Sequence, residues 1–273
     1  MIINMSHINA FKTALNFKTI PTQETYFTII NRYLSMCKGD VNRTTMIEFL
    51  GTFTKNSILV AFYALNFFCR VSGIPFEINR KEISPKGVKK IQEKLSVDEV
   101  NKIIHTVKKD FGIIEIGYIA VSTIFGSRRA EIYDLSSDNI DIDNKRIKIY
   151  IHKEVSEERN HIIPDEIFQY IKDLKEGLEK VKTKPHITAL NHLFDFICEK
   201  SDIQLRPHLG FHSVRRSLIT ELRQKHVDDR FINHFVGWKG IDEGMVGLYT
   251  QYDTPIIDKE VFIVHPFLEA WRE

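Results

Sequence analysis

Apolar side chains in the first 76 residues recur at the spacing of α-helices. They fall into three segments, which predicts a small helical bundle. The segments are residues 22–36, 44–53 and 56–73. Gly39 and Gly73 stand where helices are expected to end, and Thr45 with Glu48 matches a capping box at the start of the second helix.

Residues 77–94 interrupt this periodicity and are rich in charged side chains. Pro85 and Gly87 disfavour regular structure, and residues 80–94 carry six basic against two acidic side chains. The pattern predicts an exposed basic linker at 77–94, which separates a first domain of residues 1–76 from a second domain.

The second domain is predicted at residues 95–252, mainly α with one small antiparallel sheet of three strands. Ser96 and Glu99 match a capping box at its start, and a buried helix is expected to end at Gly126. Apolar and polar residues alternate over 139–164, as in strands. Polar turns are predicted there at residues 143–145 and 154–159. Further helices are predicted from Pro164 and at residues 186–199, 212–225, 228–236 and 242–251.

Composition narrows the class of protein. A length of 273 residues with 43% hydrophobic content suits two packed domains. The uncharged run at 57–69 is too short to span a bilayer and the N-terminus lacks the pattern of a secretory signal, so a cytoplasmic protein without a membrane partner is expected. Three widely spaced cysteines indicate neither disulfides nor a metal site.

Charge is distributed unevenly along the chain. The formal net charge is only +2, yet residues 241–273 carry seven acidic against two basic side chains, the opposite of the linker. This distribution favours one surface that binds a polyanion and a tail that is kept away from it.

Residues 211–225, FHSVRRSLITELRQK, open an apolar helix with cationic side chains. His212 and Arg215 are three positions apart and so share a helix face. Two interpretations follow: solvated surface charges, or an anion site in which a guanidinium grips two phosphate oxygens. Phosphoryl transfer without a metal also needs a nucleophile and an acid for the leaving oxygen. The candidates for all these roles are Arg128, Lys153, His212, Arg215, Tyr249 and Tyr252.

Five motifs occur in an order that identifies a family. The stretches FGSRRAEIYDL, a hairpin lysine, HSVRRSLITELRQK, FVGW and LYTQY resemble the tyrosine recombinase (phage integrase) family over residues 95–252. Gly126, Arg128 and Glu131 match its pattern of glycine, any residue, arginine, two residues and an acid. Arg128, rather than Arg129, therefore takes the first catalytic place, and Glu131 is expected to orient it.

The later motifs match in the same way. His212 and Arg215 meet the family's HxxR pattern, and Gly237 with Trp238 meets the position that follows. Tyr249, in a tyrosine-threonine context, takes the place of the nucleophile, with Tyr252 as the second candidate. Lys153 matches the hairpin lysine, and Trp238 is interpreted both as a core residue and as a phosphate donor.

The resemblance implies DNA recombination by integration or excision through a 3′-phosphotyrosine, with no metal ion or other cofactor. Double-stranded DNA and a homotetramer on DNA are the implied partners. Two alternatives remain open: a topoisomerase with the same active site, and a DNA-binding protein without catalysis. Residues expected to contact DNA are Arg80, Lys81, Lys86, Lys89, Lys90, Arg129 and Arg216. The Ile-, Lys- and Asn-rich composition points to an integrase of an archaeal virus or plasmid.

The C-terminal tail, residues 253–273, ends in an apolar group on an acidic background. Phe262, Phe267, Leu268 and Trp271 form this group. The family often passes such a segment to a neighbouring subunit, but a segment of this kind can equally fold back onto its own domain. Both placements are open from the sequence.

Overall fold

The structure, a computed structural model, describes residues 2–54, 57–75, 78–83, 93–151, 158–238 and 254–272. Contacts divide the chain into two compact units, residues 1–90 and 91–273. The predicted fold class is confirmed: the described residues are mostly helical, with one antiparallel sheet of three strands.

The first unit is a helical bundle. Its helices are α1 (Met5–Leu15), α2 (Ile20–Met36), α3 (Arg43–Gly51) and α4 (Ile58–Val71). Helix α1 was not predicted, although Asn4 caps its start and Phe11 and Leu15 give it a buried face. The predicted cap of α3 is wrong: Asn42 is the N-cap, and Thr45 sits three residues inside, where its hydroxyl accepts from the Asn42 N–H.

Part of the predicted linker packs onto this bundle. Ile78 is buried, and its N–H and C=O both bond to the side chain of Asn66 on α4. A short 3₁₀ helix, Arg80–Glu82, follows, and Glu82 pairs with Arg43 at the start of α3. The exposed linker expected from residue 77 is therefore not exposed at Ile78.

The second unit begins with the predicted capping box, which is confirmed: Ser96 caps α5 and Glu99 bonds back to the Ser96 N–H. Its helices are α5 (Val97–Asp110), α6 (Ile113–Phe125), α7 (Arg129–Asp134), α8 (Asp165–Lys180), α9 (Ala189–Lys200), α10 (Phe211–Gln224), α11 (Asp229–Val236), α12 (Thr254–Ile263) and α13 (Glu269–Arg272). The helix predicted at 242–251 lies outside the described residues.

The sheet positions two polar side chains inside the unit. Its strands are β1 (Ile140–Asp141), β2 (Arg146–Tyr150) and β3 (Glu158–Ile162). On the buried face, Ile147 pairs with His161 and Ile149 with Arg159. The turn predicted at 154–159 is too long at its end, because residues 158 and 159 already belong to β3. Alternation along β3 then turns Arg159 inward.

The described part of the tail folds onto its own unit. Phe267 and Trp271 are buried in the core of the second unit, and the Trp271 indole donates to the Thr123 hydroxyl at 3.1 Å. On α12, the buried Asp258 accepts from the N–H of Ile162 on β3. Of the two placements left open by the sequence, this structure therefore has the tail on its own chain.

Candidate active site

The loop between α6 and α7 carries the first arginine. Helix α6 is mostly apolar, and its C-cap is Gly126, whose φ of 59° lies in the left-handed region that suits glycine. Two residues later, Arg128 is the N-cap of α7, and its N–H donates to Glu131 Oε2 at 2.9 Å. The Arg128 guanidinium also pairs with Glu131 and remains 18% exposed. The expected contact between these two residues is present.

Glu131 is a buried carboxylate surrounded by arginines. Burial on its own would raise the pKa of Glu131, but Arg159, Arg215 and Arg128 outweigh it, so the pKa is lowered and the group is ionised at neutral pH. Among the described residues, three guanidinium groups thus face one carboxylate. The site keeps an excess of positive charge, which suits a phosphate.

Arg215 is fixed by two helix ends. It lies on α10, where Val214, Leu218 and Leu222 hold the helix in the core. Its Nη1 donates to the Gly126 carbonyl oxygen at 2.7 Å, and its Nη2 donates to the Val236 carbonyl oxygen at 2.6 Å. Burial, followed by Arg159 and Arg128, lowers the pKa of Arg215 to about 9, so the side chain is still cationic at neutral pH.

Arg159 is a third arginine in the site, which the sequence interpretation missed. It is 5% exposed, and its Nη2 donates to Glu131 Oε2 at 2.7 Å. Its Nη1 donates to the carbonyl oxygens of Phe125 at 2.9 Å and Phe235 at 2.8 Å. The signal that could have found it is the alternation of β3 counted back from Ile163, which the charged run EVSEER conceals.

His212 and Trp238 lie at the surface of the same unit. His212 occupies the first turn of α10 and is exposed, while Arg215, one turn further, is buried. Trp238 follows the end of α11 and is 51% exposed, so its interpretation as a core residue is wrong. An exposed indole leaves the interpretation as a phosphate donor open.

Several predicted residues lie outside the described part of the chain or have protein partners. Lys153, Tyr249, Tyr252, Lys86, Lys89 and Lys90 are outside it. Arg80 and Lys81 are exposed. Arg129 donates to Asn191 Oδ1 at 2.6 Å, and Arg216 donates through Nε to the Glu93 carbonyl oxygen at 2.7 Å. Arg216 therefore anchors the start of the second unit.

The described residues contain neither a metal-binding cluster nor a membrane-spanning helix. In them, no group of three or more His, Cys, Asp or Glu side chains is placed to hold a metal ion. No helix among these residues has the length and apolarity needed to cross a membrane.

A mainly helical unit with a small antiparallel sheet and clustered arginines at two helix ends fits the class of tyrosine-type site-specific DNA recombinases. Residues 93–254 match the model of the Phage integrase family, and this range is more than half of the chain. The chain belongs to the Phage integrase family, whose enzymes recombine DNA at specific sites. No curated protein sequence matches it significantly.

Solved structures show the same fold at low identity. The XerH recombinase bound to difH before cleavage is 16% identical, with a TM-score of 0.62, over 88% of this chain and 84% of XerH. A lambda integrase dimer bound to a COC′ core site is 15% identical, with a TM-score of 0.60, over 89% of this chain and 100% of that one. A lambda integrase tetramer bound to a Holliday junction is 14% identical, with a TM-score of 0.61, over 91% of this chain and 78% of that one.

Proposed function

We propose that the second unit cleaves and rejoins DNA at a single active site. The proposed catalytic residues are Arg128, Lys153, His212, Arg215, Trp238 and Tyr249. The observation that supports this best is the meeting of Arg128 and Arg215, which are 87 positions apart by number, around the loop Gly126–Arg128 and the carboxylate of Glu131. Two fixed guanidinium groups beside each other match the nonbridging oxygens of one phosphodiester.

The proposed reaction forms and breaks one bond to phosphorus in each step. The Tyr249 oxygen attacks the scissile phosphorus, the bond to the 5′ oxygen breaks, and a 3′-phosphotyrosine and a 5′ hydroxyl result. A phenol has a pKa of about 10, so its proton must leave during the attack, to His212 or to a water molecule. Lys153 gives a proton to the leaving 5′ oxygen. Attack by another 5′ hydroxyl reverses these steps and rejoins the strand.

The charged transition state is stabilised by donors that are already in place. Arg128 and Arg215 hold the nonbridging oxygens, and the half-exposed indole of Trp238 donates to one of them. Because Arg215 is tied to two backbone carbonyl oxygens, little reorganisation is needed when charge develops. In this proposal side chains alone supply the chemistry.

We propose a homotetramer on two paired, specific sites in double-stranded DNA, in the cytoplasm of a host cell. The tetramer of lambda integrase on a Holliday junction supports this assembly through the shared fold. The first unit and the basic segment with Arg80, Lys81, Lys86, Lys89 and Lys90 would contact the DNA backbone. Arg129 and Arg216 would add contacts in the second unit.

The nucleophile is tested by covalent trapping. Labelled duplexes tiled across the gene for this chain and its flanking DNA are first selected for binding, and the selected duplex is then prepared with a nick beside the cleavage point. The short 5′-hydroxyl fragment diffuses away after cleavage, which traps the protein–DNA adduct on a denaturing gel. We expect Tyr249→Phe to abolish the adduct, because the nucleophilic oxygen is gone, and Tyr252→Phe to retain it.

Other results would point to other functions. An adduct with Tyr249→Phe but none with Tyr252→Phe would transfer the role to Tyr252. Relaxation of supercoiled plasmid without recombinant products would favour the topoisomerase. Binding to the selected duplex without any adduct from the wild type would favour a DNA-binding protein that has lost catalysis.

A further inference from the structure

Two arginines join the same pair of helix ends in parallel. Arg215 bridges the carbonyl oxygens of Gly126 and Val236, and Arg159 bridges those of Phe125 and Phe235, one residue earlier in each helix. The last carbonyl groups of a helix lack hydrogen-bond partners within the helix and carry partial negative charge. A guanidinium at this place supplies both the missing donors and a compensating positive charge. Both side chains are buried, Arg159 at 5% and Arg215 at 2% exposure, so together they tie the end of α6 to the end of α11 inside the unit.

Arg159 also reaches the first catalytic arginine through a shared carboxylate. Glu131 accepts from Arg159 through Oε2 and pairs with Arg128 through Oε1, and it is itself buried. Without Arg159, the carboxylate would lose the partner that lowers its pKa most. The side chain that orients Arg128 would then be free to change its own position.

The surroundings of Arg159 show that the site is built around it. His161, two residues along β3, is buried between Phe125 and Phe235, and its Nδ1 donates to Asp258 on α12 at 2.7 Å. Its Nε2 then carries a lone pair toward Arg159 Nη1, 3.5 Å away. At the end of α11, a Cβ on Gly237 would lie 2.7 Å from Arg159 Cδ, so glycine leaves the space that Arg159 fills.

We propose that Arg159 is a positioning residue for DNA cleavage, which acts through Glu131 to hold Arg128 against the scissile phosphate. The inference rests on the proposed function of this site. Arg159 is almost fully buried and does not touch the DNA. Its loss lowers the rate of strand cleavage and leaves the strength of DNA binding nearly unchanged.

The first test separates binding from cleavage. With the nicked duplex selected above, we expect Arg159→Met to slow formation of the covalent adduct about 10- to 100-fold, the usual effect of losing a residue that orients a catalytic group. Affinity for the intact duplex should change by less than about twofold, because ground-state contacts remain. A folded Arg159→Met variant that cleaves at the wild-type rate overturns the proposal.

A double-mutant cycle tests whether the effect passes through Glu131. In the Glu131→Gln background, adding Arg159→Met should slow cleavage by less than about twofold, because the route to Arg128 is already broken. If the two substitutions instead slow cleavage by factors that multiply in the double variant, Arg159 acts independently of Glu131 and the proposal is overturned. The double variant removes the two opposite charges of this pair together, so neither is left buried without the other.

A stability control distinguishes positioning from general loosening. Ile171→Ala removes a fully buried side chain of α8, outside the arginine cluster, and its unfolding is compared with that of Arg159→Met. Cleavage by Ile171→Ala should stay within about threefold of the wild type below its unfolding temperature. An equal loss of rate in both variants at equal stability overturns the proposal.

A conservative variant covers the case in which Arg159→Met fails to fold. Arg159→Lys keeps the charge but cannot donate to the carboxylate and both carbonyl oxygens in the same geometry, so at least about a fivefold slower cleavage is expected. Wild-type cleavage by Arg159→Lys overturns the proposal. Failure of the proposed function is distinct, because the wild-type protein would then form no adduct at all.

Discussion

Arg215 shows how one residue serves both the fold and the chemistry. Its guanidinium donates to two backbone carbonyl oxygens, and in the proposed function it also holds a nonbridging oxygen of the scissile phosphate. We expect Arg215→Lys to slow formation of the covalent adduct about 100- to 1000-fold, because an ammonium group cannot hold both carbonyl oxygens and grip a phosphate. Single-turnover cleavage of the nicked duplex measures this rate.

The matched control for Arg215→Lys lies on the same helix. Arg223 is half exposed on α10 and pairs with Asp229, so Arg223→Lys changes the same chemical group at a distance from the arginine cluster. Its cleavage rate should remain near that of the wild type. Equal effects of the two substitutions would mean that the forked geometry of Arg215 is unimportant.

His161 on β3 and His265, which follows α12, are buried in the second unit. Burial, with a smaller effect from Lys225, lowers the pKa of His265 to about 3, although the bond to the Ile124 carbonyl oxygen opposes this. The Phe267 N–H donates to Nδ1 of His265, so the neutral ring donates through Nε2. Burial likewise lowers the pKa of His161. The His265 ring is therefore neutral in the folded unit at mildly acidic pH.

This difference makes stability depend on pH. The unfolded chain protonates His265 near pH 6.5 and the folded unit does not, so acid favours the unfolded state. The contribution of His265 to the unfolding free energy should be greatest above about pH 6.5 and should fall toward about pH 5 by up to about 1.4 kcal/mol per pH unit. We expect His265→Gln to reduce this slope by one such contribution.

Tryptophan fluorescence during urea unfolding measures the slope for the second unit alone, because Trp238 and Trp271 are the only tryptophans and both lie there. His192→Gln, at an exposed position of α9, is the control. If the control lowers the slope as much as His265→Gln does, burial of His265 is not the cause.

The elements that were predicted well are those whose pattern is local. Helix α5 with its Ser96 cap, α6 with its glycine stop and the three strands all follow from residues near in sequence. Arg159 was missed because a charged run resembles a turn. The bond between His161 and Asp258 joins residues 97 positions apart, and no spacing rule reveals such a pair before the fold is known.

At the scale of the whole molecule, the order of the family's motifs along the chain predicted the site better than any single motif did. It placed Arg128 and Arg215 together, and the structure gives the physical means: the ends of α6 and α11 meet, and arginines join them. The tail could not be assigned in this way, because an apolar acidic segment fits its own core and a neighbour's surface equally well. Its burial in the second unit follows from three-dimensional complementarity.

Binding to DNA by the whole chain should depend steeply on salt, and the exposed pair Arg80 and Lys81 tests the contribution of the basic segment. Each phosphate contact contributes about 0.9 to the slope of log affinity against log salt, so the double substitution to Gln should reduce the slope by about 2. The loss should be similar for the selected duplex and for an unrelated one, because phosphate contacts carry no sequence information. Fluorescence anisotropy over a series of salt concentrations gives both slopes.

Lys172 and Lys180, exposed on α8, provide a control of equal charge. An equal reduction from that control would assign the effect to net charge, and an unchanged slope for the Arg80 and Lys81 variant would remove these residues from the DNA interface.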